Sequence, residues 1–259
     1  MNLDLSGKNA LVCGSTAGIG KAIAIELAEM GANLVLMARN EEKLKSAVSE
    51  LSNTNNQTHS YAIADFSDVN SVKKAVEAIE NPIHILINNT GGPPGGPIVE
   101  ANIDEFTSAF SMHLLCNHTL VQGVKQGMID SGYGRIINVI STSVKIPLNG
   151  LGVSNTVRGA VGNWAKTMAN ELGVHGITVN NVLPGATATE RLSSIIENKA
   201  SKTGKSKEEI EQQFESAVPM KRVAEPHEVA AAAAFLASPA ASYINGINIP
   251  VDGGRTGSL

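Results

Sequence analysis

"ALVCGSTAGIGKAIAIELAEMG", residues 10–31, decides how the rest of the chain is read. It opens as a short apolar run, breaks at Gly14, Gly18 and Gly20, and continues with apolar residues at helical spacing. Glycines between a strand and a helix permit a tight turn and a close approach of backbone to a pyrophosphate. They also leave free N–H groups at the positive end of the helix. The stretch predicts a strand–turn–helix unit that holds a nucleotide.

Working outward, the same alternation runs to the end of the chain. Strands are predicted at 9–13, 33–38, 59–64, 83–88, 134–140, 177–183 and 246–251. Helical patterns lie at 18–31, 41–52, 68–80, 103–129, 157–173 and 225–238. Strands that are apolar on both faces and alternate with helices imply a parallel sheet covered on each side. No linker or repeat divides the pattern, so one domain over 1–259 is expected.

Two segments break the rhythm: "NNTGGPPGGPIVEAN" (88–102) and the polar excursion "TERLSSIIENKASKTGKSKEEIEQQFESAVPMKR" (189–222). Both follow strands, at the edge where open α/β sheets bind ligands. They read as a cleft wall and a mobile lid, or as plain surface loops.

The composition narrows the class. The chain has 259 residues, 42% hydrophobic and 17% charged, with a net charge of −4. That fits a globular protein with a large core and, without a Lys/Arg stripe, no nucleic-acid surface. The N-terminal "MNLDLSGKNALVCG", interrupted by Asp4 and two glycines, is not expected to be a signal peptide. No apolar run reaches the roughly 18 to 20 residues of a membrane span. Cys13 and Cys116 sit in apolar surroundings and read as reduced core residues of a cytoplasmic protein. The histidines show no ligand spacing, so no metal is expected.

The nucleotide is chosen after the second strand. An NAD(H) site offers Asp or Glu there for the ribose hydroxyls. "LVLMARNEEKL" offers Arg39 instead, and Glu41 and Glu42 read as first-turn acids behind an Asn40 N-cap. An arginine suits a 2′-phosphate, so NADP(H) is expected over NAD(H).

Taken together, "GSTAGIG" (14–20), "ADFSD" (64–68), "NNTG" (88–91), "GRIINVIS" (134–141), "VNNVLPGATATE" (179–190) and "VDGG" (251–254) resemble the short-chain dehydrogenase/reductase family over nearly the whole chain. The 3-oxoacyl-carrier-protein-reductase-like branch is the nearest in pattern. The resemblance implies an α/β fold: a Rossmann-type doubly wound parallel sheet of about seven strands with helices on both faces. It implies cofactor contacts from Gly14, Ser15, Thr16, Gly18, Ile19, Gly20, Arg39, Asp65, Phe66, Asn88, Thr90, Gly91, Pro184, Gly185, Thr187 and Thr189. It also implies a homotetramer or homodimer paired through the helices at 103–129 and 157–173, whose apolar residues include Trp164 and Met168.

The family's chemistry uses Asn, Ser, Tyr and Lys. Ser141 matches the serine, whereas His113 stands in the asparagine's place, Ser154 in the tyrosine's and Arg158 in the lysine's. No register shift restores the pair, because Tyr61, Tyr133 and Tyr243 lack a lysine four residues on. A tyrosine of pKa about 10 becomes a working acid beside a cation, whereas a serine titrates far higher. Arg158 cannot relay a proton, but it can anchor the nicotinamide ribose or polarise an oxygen. Losing a general acid costs about 100- to 10,000-fold. His113, with an ordinary pKa near about 6.5, is the candidate replacement acid, or else a helix histidine satisfied locally. Ser141 is expected as an oxyanion-side donor. Two functions stay open: an oxidoreductase acting on a carbonyl or alcohol with an altered proton donor, and a nucleotide-binding protein without turnover, acting as sensor or assembly subunit.

Overall fold

The computed structural model describes residues 1–258. Seven strands form one parallel sheet: β1 (Asn9–Cys13), β2 (Asn33–Ala38), β3 (His59–Ile63), β4 (Ile85–Asn88), β5 (Gly134–Val139), β6 (Ile177–Pro184) and β7 (Asn248–Val251). Their order is β3-β2-β1-β4-β5-β6-β7, with every neighbouring pair parallel. The chain reverses its winding between β1 and β4, and that switch point opens a crevice at the carboxyl ends of the strands. This is the Rossmann-type architecture expected from the sequence.

Successive residues of a strand face opposite layers. Ala10 and Val12 of β1 pack with α1 (Gly18–Glu29), α2 (Glu41–Ser49) and α9 (Pro226–Ala237). Leu11 and Cys13 pack with α3 (Val69–Glu77), α5 (Cys116–Ser131) and α6 (Gly152–Leu172) on the other face. Burial on both faces is why the strands read as unbroken apolar runs.

The second layer also contains a polar line. Asn88, Asn138, Asn181 and Asn248 occupy one register across β4 to β7. Each Nδ2 donates to the next Oδ1 at 2.8 Å, from Asn88 to Asn138, Asn138 to Asn181, and Asn181 to Asn248. Asn88, Asn138 and Asn181 are buried, so these bonds pair amide groups that water cannot reach, while Asn88 Oδ1 at the head of the line has no partner among the described residues.

Three helical boundaries differ from the sequence reading. The predicted helix at 103–129 is α4 (Ile103–Phe110), a π-helical stretch Ser111–Leu115, and α5. The widened turn shifts the residues that face the sheet, which a regular helical period cannot show. The helix predicted from 157 begins at Gly152 instead. Gly152 is no helix breaker: a Cβ there would lie 2.5 Å from Ile98 Cβ, so glycine permits close packing against the Gly/Pro segment. The excursion at 189–222 is not a loop but α7 (Glu190–Thr203) and α8 (Lys207–Ser216), closed over Leu192, Ile196 and Ile210. Its base is pinned where Ala188 N donates to Ala224 O and Ala224 N to Ala186 O.

Trp164 and Met168 also differ from expectation. Both pack in the α5–α6 core of the same chain, Met168 fully and Trp164 partly, with Trp164 Nε1 donating to His118 Nδ1 at 3.3 Å. The exposed apolar residues of this region are Ile103, Phe110 and Leu115.

Candidate active site

The turn after β1 is held by close packing of backbone. Gly14 has φ +58, and a Cβ on it would sit 2.5 Å from Asn89 O; a Cβ on Gly20 would sit 2.2 Å from Gly14 O. Asn89 Nδ2 reaches the carbonyls of Cys13 at 3.3 Å and Gly14 at 3.2 Å, bracing the turn from the neighbouring strand. Ala17, the N-cap of α1, offers no side-chain acceptor, so the first N–H groups of the helix face the crevice without a cap. Ser15 lies beneath, fully buried, and its Oγ has no hydrogen-bond partner among the described residues. A pyrophosphate fits this cradle: open N–H groups on top, no room for side chains below.

At the ends of β2 and β3, Arg39 and Asp65 are both exposed. The Asp65 carboxylate accepts from Ser67 N at 2.9 Å and Ser67 Oγ at 2.8 Å, and these bonds, with the Arg39 charge adding, hold its pKa below the ordinary value. Glu41 and Glu42 do not compete for Arg39. Asn40 caps α2 by accepting from Lys43 N, Glu41 takes the Tyr61 hydroxyl at 3.0 Å, and Lys45 bridges both acids. Phe66 is half-buried against the second core layer.

From the glycine turn a cleft of about 440 Å³ runs along the strand ends. Gly14, Gly18, Ile19, Thr90, Gly91, Pro184, Gly185, Thr187 and Thr189 line its nucleotide end, and Ser141, Ser154 and Arg158 its far end. Ser141 lies just past β5 in extended backbone, and its Oγ accepts from Ser143 N at 3.1 Å, which leaves its own proton for a ligand. Ser154 stands in the first turn of α6 and Arg158 one turn on, so both present the same face. Arg158 is 8% exposed and donates through Nη1 to Val139 O at 3.3 Å. Burial, and then the nearby Arg191 charge, pull its pKa down to about 10. It remains a cation at neutral pH.

His113 does not reach the cleft lining. The π-helical turn buries it to 1% exposure, and its Nδ1 lies 2.8 Å from Thr90 Oγ1. Burial first, then the Arg158 and Arg191 charges, push the imidazole down to about 2. The expectation of His113 as the replacement acid is therefore corrected: near neutral pH it has no proton to spare, because both burial and its cationic neighbours oppose the imidazolium. Asn88 is likewise turned into the sheet, and Asn89 takes the place at the cleft. Ser15, Thr16, Gly20, Arg39, Asp65 and Phe66 also stand outside the cleft lining, under the turn or at the ribose edge.

The family model described as enoyl-(acyl carrier protein) reductase matches residues 14–256. The chain belongs to the short-chain dehydrogenase/reductase family. It is similar to the NADPH-dependent reductase BacG of Bacillus subtilis, 34% identical over 98% of this chain and all of the relative. Gluconate 5-dehydrogenase of Gluconobacter oxydans is 35% identical over 98% of this chain and 97% of the relative. Among solved structures, L-sorbose reductase from Gluconobacter frateurii, complexed with NADPH and L-sorbose, matches with a TM-score of 0.93. It is 30% identical and both chains are covered in full.

Within this short-chain dehydrogenase/reductase the sequence reading missed, besides Asn89 and the apolar lining, two cleft arginines, Arg191 and Arg255. Arg191, at the start of α7, donates through Nη2 to Pro93 O at 2.6 Å and so joins the α7–α8 pair to the Gly/Pro wall. "TERL" in a polar excursion carries no motif that would single it out. The capping box of α8, Ser206 with Glu209, was a readable sign that the excursion is helical.

Proposed function

We propose that this protein is an NADP(H)-dependent oxidoreductase that reduces a carbonyl, or oxidises the corresponding alcohol, without a tyrosine acid. The observation that carries this is the unbroken cleft from the glycine turn to Ser141, Ser154 and Arg158. When bound, the cofactor supplies or accepts the hydride. Ser141 and Ser154 donate hydrogen bonds to the substrate oxygen, and Arg158, cationic and buried, anchors the nicotinamide ribose and stabilises negative charge developing nearby. With His113 neutral, the proton reaches the product oxygen from water at the cleft mouth. Such an enzyme is slower than one with a positioned acid by about 100- to 10,000-fold.

Arg39 supports the choice of NADP(H), as does NADPH, the cofactor of BacG and of the L-sorbose reductase complex. Exposed Ile103, Phe110 and Leu115 on α4 and the π-helical stretch support a dimer or tetramer built through that region. The α7–α8 pair, tethered at its base and by Arg191, suits a lid over the substrate end. The second reading, a cofactor-binding protein without turnover, is favoured by the Ser154 and Arg158 pair alone. Steady-state NADPH oxidation across ketones, quinones and acyl thioesters, with cofactor binding measured in parallel, separates the two. If nothing turns over while Ser154→Tyr with Arg158→Lys creates activity, the native site is a binding site only.

A further inference from the structure

The cleft carries a charge imbalance that the fold does not explain. Three guanidinium groups line it, Arg158, Arg191 and Arg255, against one carboxylate, Glu190. Among the described residues none of the three is ion-paired; the paired cations are Lys21, Lys45, Lys73, Lys207 and Arg222, on other surfaces. Arg158 is the most costly of them. It is more than nine-tenths buried, and of its five N–H donors one has a protein acceptor, the Val139 carbonyl. A buried cation with one neutral acceptor is unfavourable, and a second cation close by makes it more so. Arg191 is close enough to depress the titration of both Arg158 and His113, and its Nη2 is held over Gly92 and Pro93 at the cleft wall.

The cofactor does not balance this pair. Its pyrophosphate belongs to the uncapped N–H groups of α1, and the ribose hydroxyls that Arg158 would meet are neutral. What would balance it is an anion on the substrate. A guanidinium fork favours a planar carboxylate. Leu148, Leu151, Leu192, Ile195 and Phe214 form the rest of that end of the cleft, so the carboxylate sits on an apolar body.

We propose that the substrate is an oxo acid with an apolar side chain, its carboxylate held between Arg158 and Arg191 while Ser141 and Ser154 take the carbonyl. This rests on the oxidoreductase reading and narrows it to a substrate class.

The test is calorimetric titration of the NADP(H)-saturated protein with benzoylformate, benzoylpropionate and pyruvate, each beside its methyl ester. At least one acid should bind about 10-fold or more tightly than its ester, which is one charge-assisted contact. Arg191→Gln should erase that gap and leave NADPH affinity intact, and Arg191→Lys should restore part of it. Arg191 is exposed, so the variants are expected to fold, which circular dichroism checks. Acids that bind no better than their esters overturn the proposal. So does a loss of NADPH affinity in Arg191→Gln, which would assign Arg191 to the cofactor phosphates. If the unmutated protein binds no NADPH, the oxidoreductase reading itself falls, and the proposal with it.

Discussion

His113 Nδ1 lies 2.8 Å from the Thr90 hydroxyl, while its Nε2 is buried without a hydrogen-bond partner among the described residues. Thr90 leads into the Gly/Pro wall of the cleft, so the imidazole fixes the start of that wall from behind. That contact suits His113 to a positioning role, exerted through Thr90 rather than on a reacting atom.

Stability should therefore depend on His113 as pH falls. The unfolded imidazole takes a proton below its ordinary 6.5, whereas the folded one stays neutral down to about 2. The unfolded state binds more protons throughout that window, so stability rises with pH and is lost on acidification, by about 1.4 kcal/mol per pH unit. Urea unfolding at about pH 5 and pH 7 should show a steeper dependence in the native sequence than in His113→Gln. Equal slopes would mean that the imidazole is not held neutral. The rate profile of the enzyme should likewise lack a limb from an imidazole acid.

The asparagine line predicts a large effect at its centre. Asn138→Leu leaves the Asn88 amide and the Asn181 carbonyl without partners in a buried layer. Each unsatisfied group costs about 1 to 3 kcal/mol, so denaturant unfolding should report a loss of about 2 to 6 kcal/mol. A change below about 1 kcal/mol would show that the line is not a stabilising network.

Cofactor preference should follow Arg39, since it is exposed at the end of β2 with both neighbouring glutamates engaged elsewhere. NADPH is expected to bind about 10-fold or more tightly than NADH, through one charge-assisted contact to the 2′-phosphate. Arg39→Ala should erase the difference. Equal affinities in the native protein would remove the argument for NADP(H).

For assembly, light scattering at micromolar concentration should give a dimer or tetramer mass. Phe110, 40% exposed, and Leu115, 43% exposed, are the residues to change. A Phe110→Lys and Leu115→Glu double variant should shift the mass toward monomer, since charges placed in a contact face oppose association. A native monomer would refute the paired state.

The sequence by itself determined the sheet and the glycine turn, and it set Arg39 where an NAD(H) site would offer an acid. Those depend on local patterns: apolar runs of strand length, glycines where a side chain cannot fit, Arg39 at a strand end. It also located Ser141, Ser154 and Arg158 on one side of a cleft. The tertiary structure decided what those positions can do. Burial turned His113 from a plausible acid into a neutral strut, and an irregular helical turn no periodicity announces set its direction. Packing took Met168 inside the chain and Trp164 partly so, and folded a polar excursion into two helices that bring Arg191 into the same cleft as Arg158 from 33 positions away. A pKa and a charge cluster depend on which groups meet and how much water is excluded, and only the three-dimensional fold fixes both.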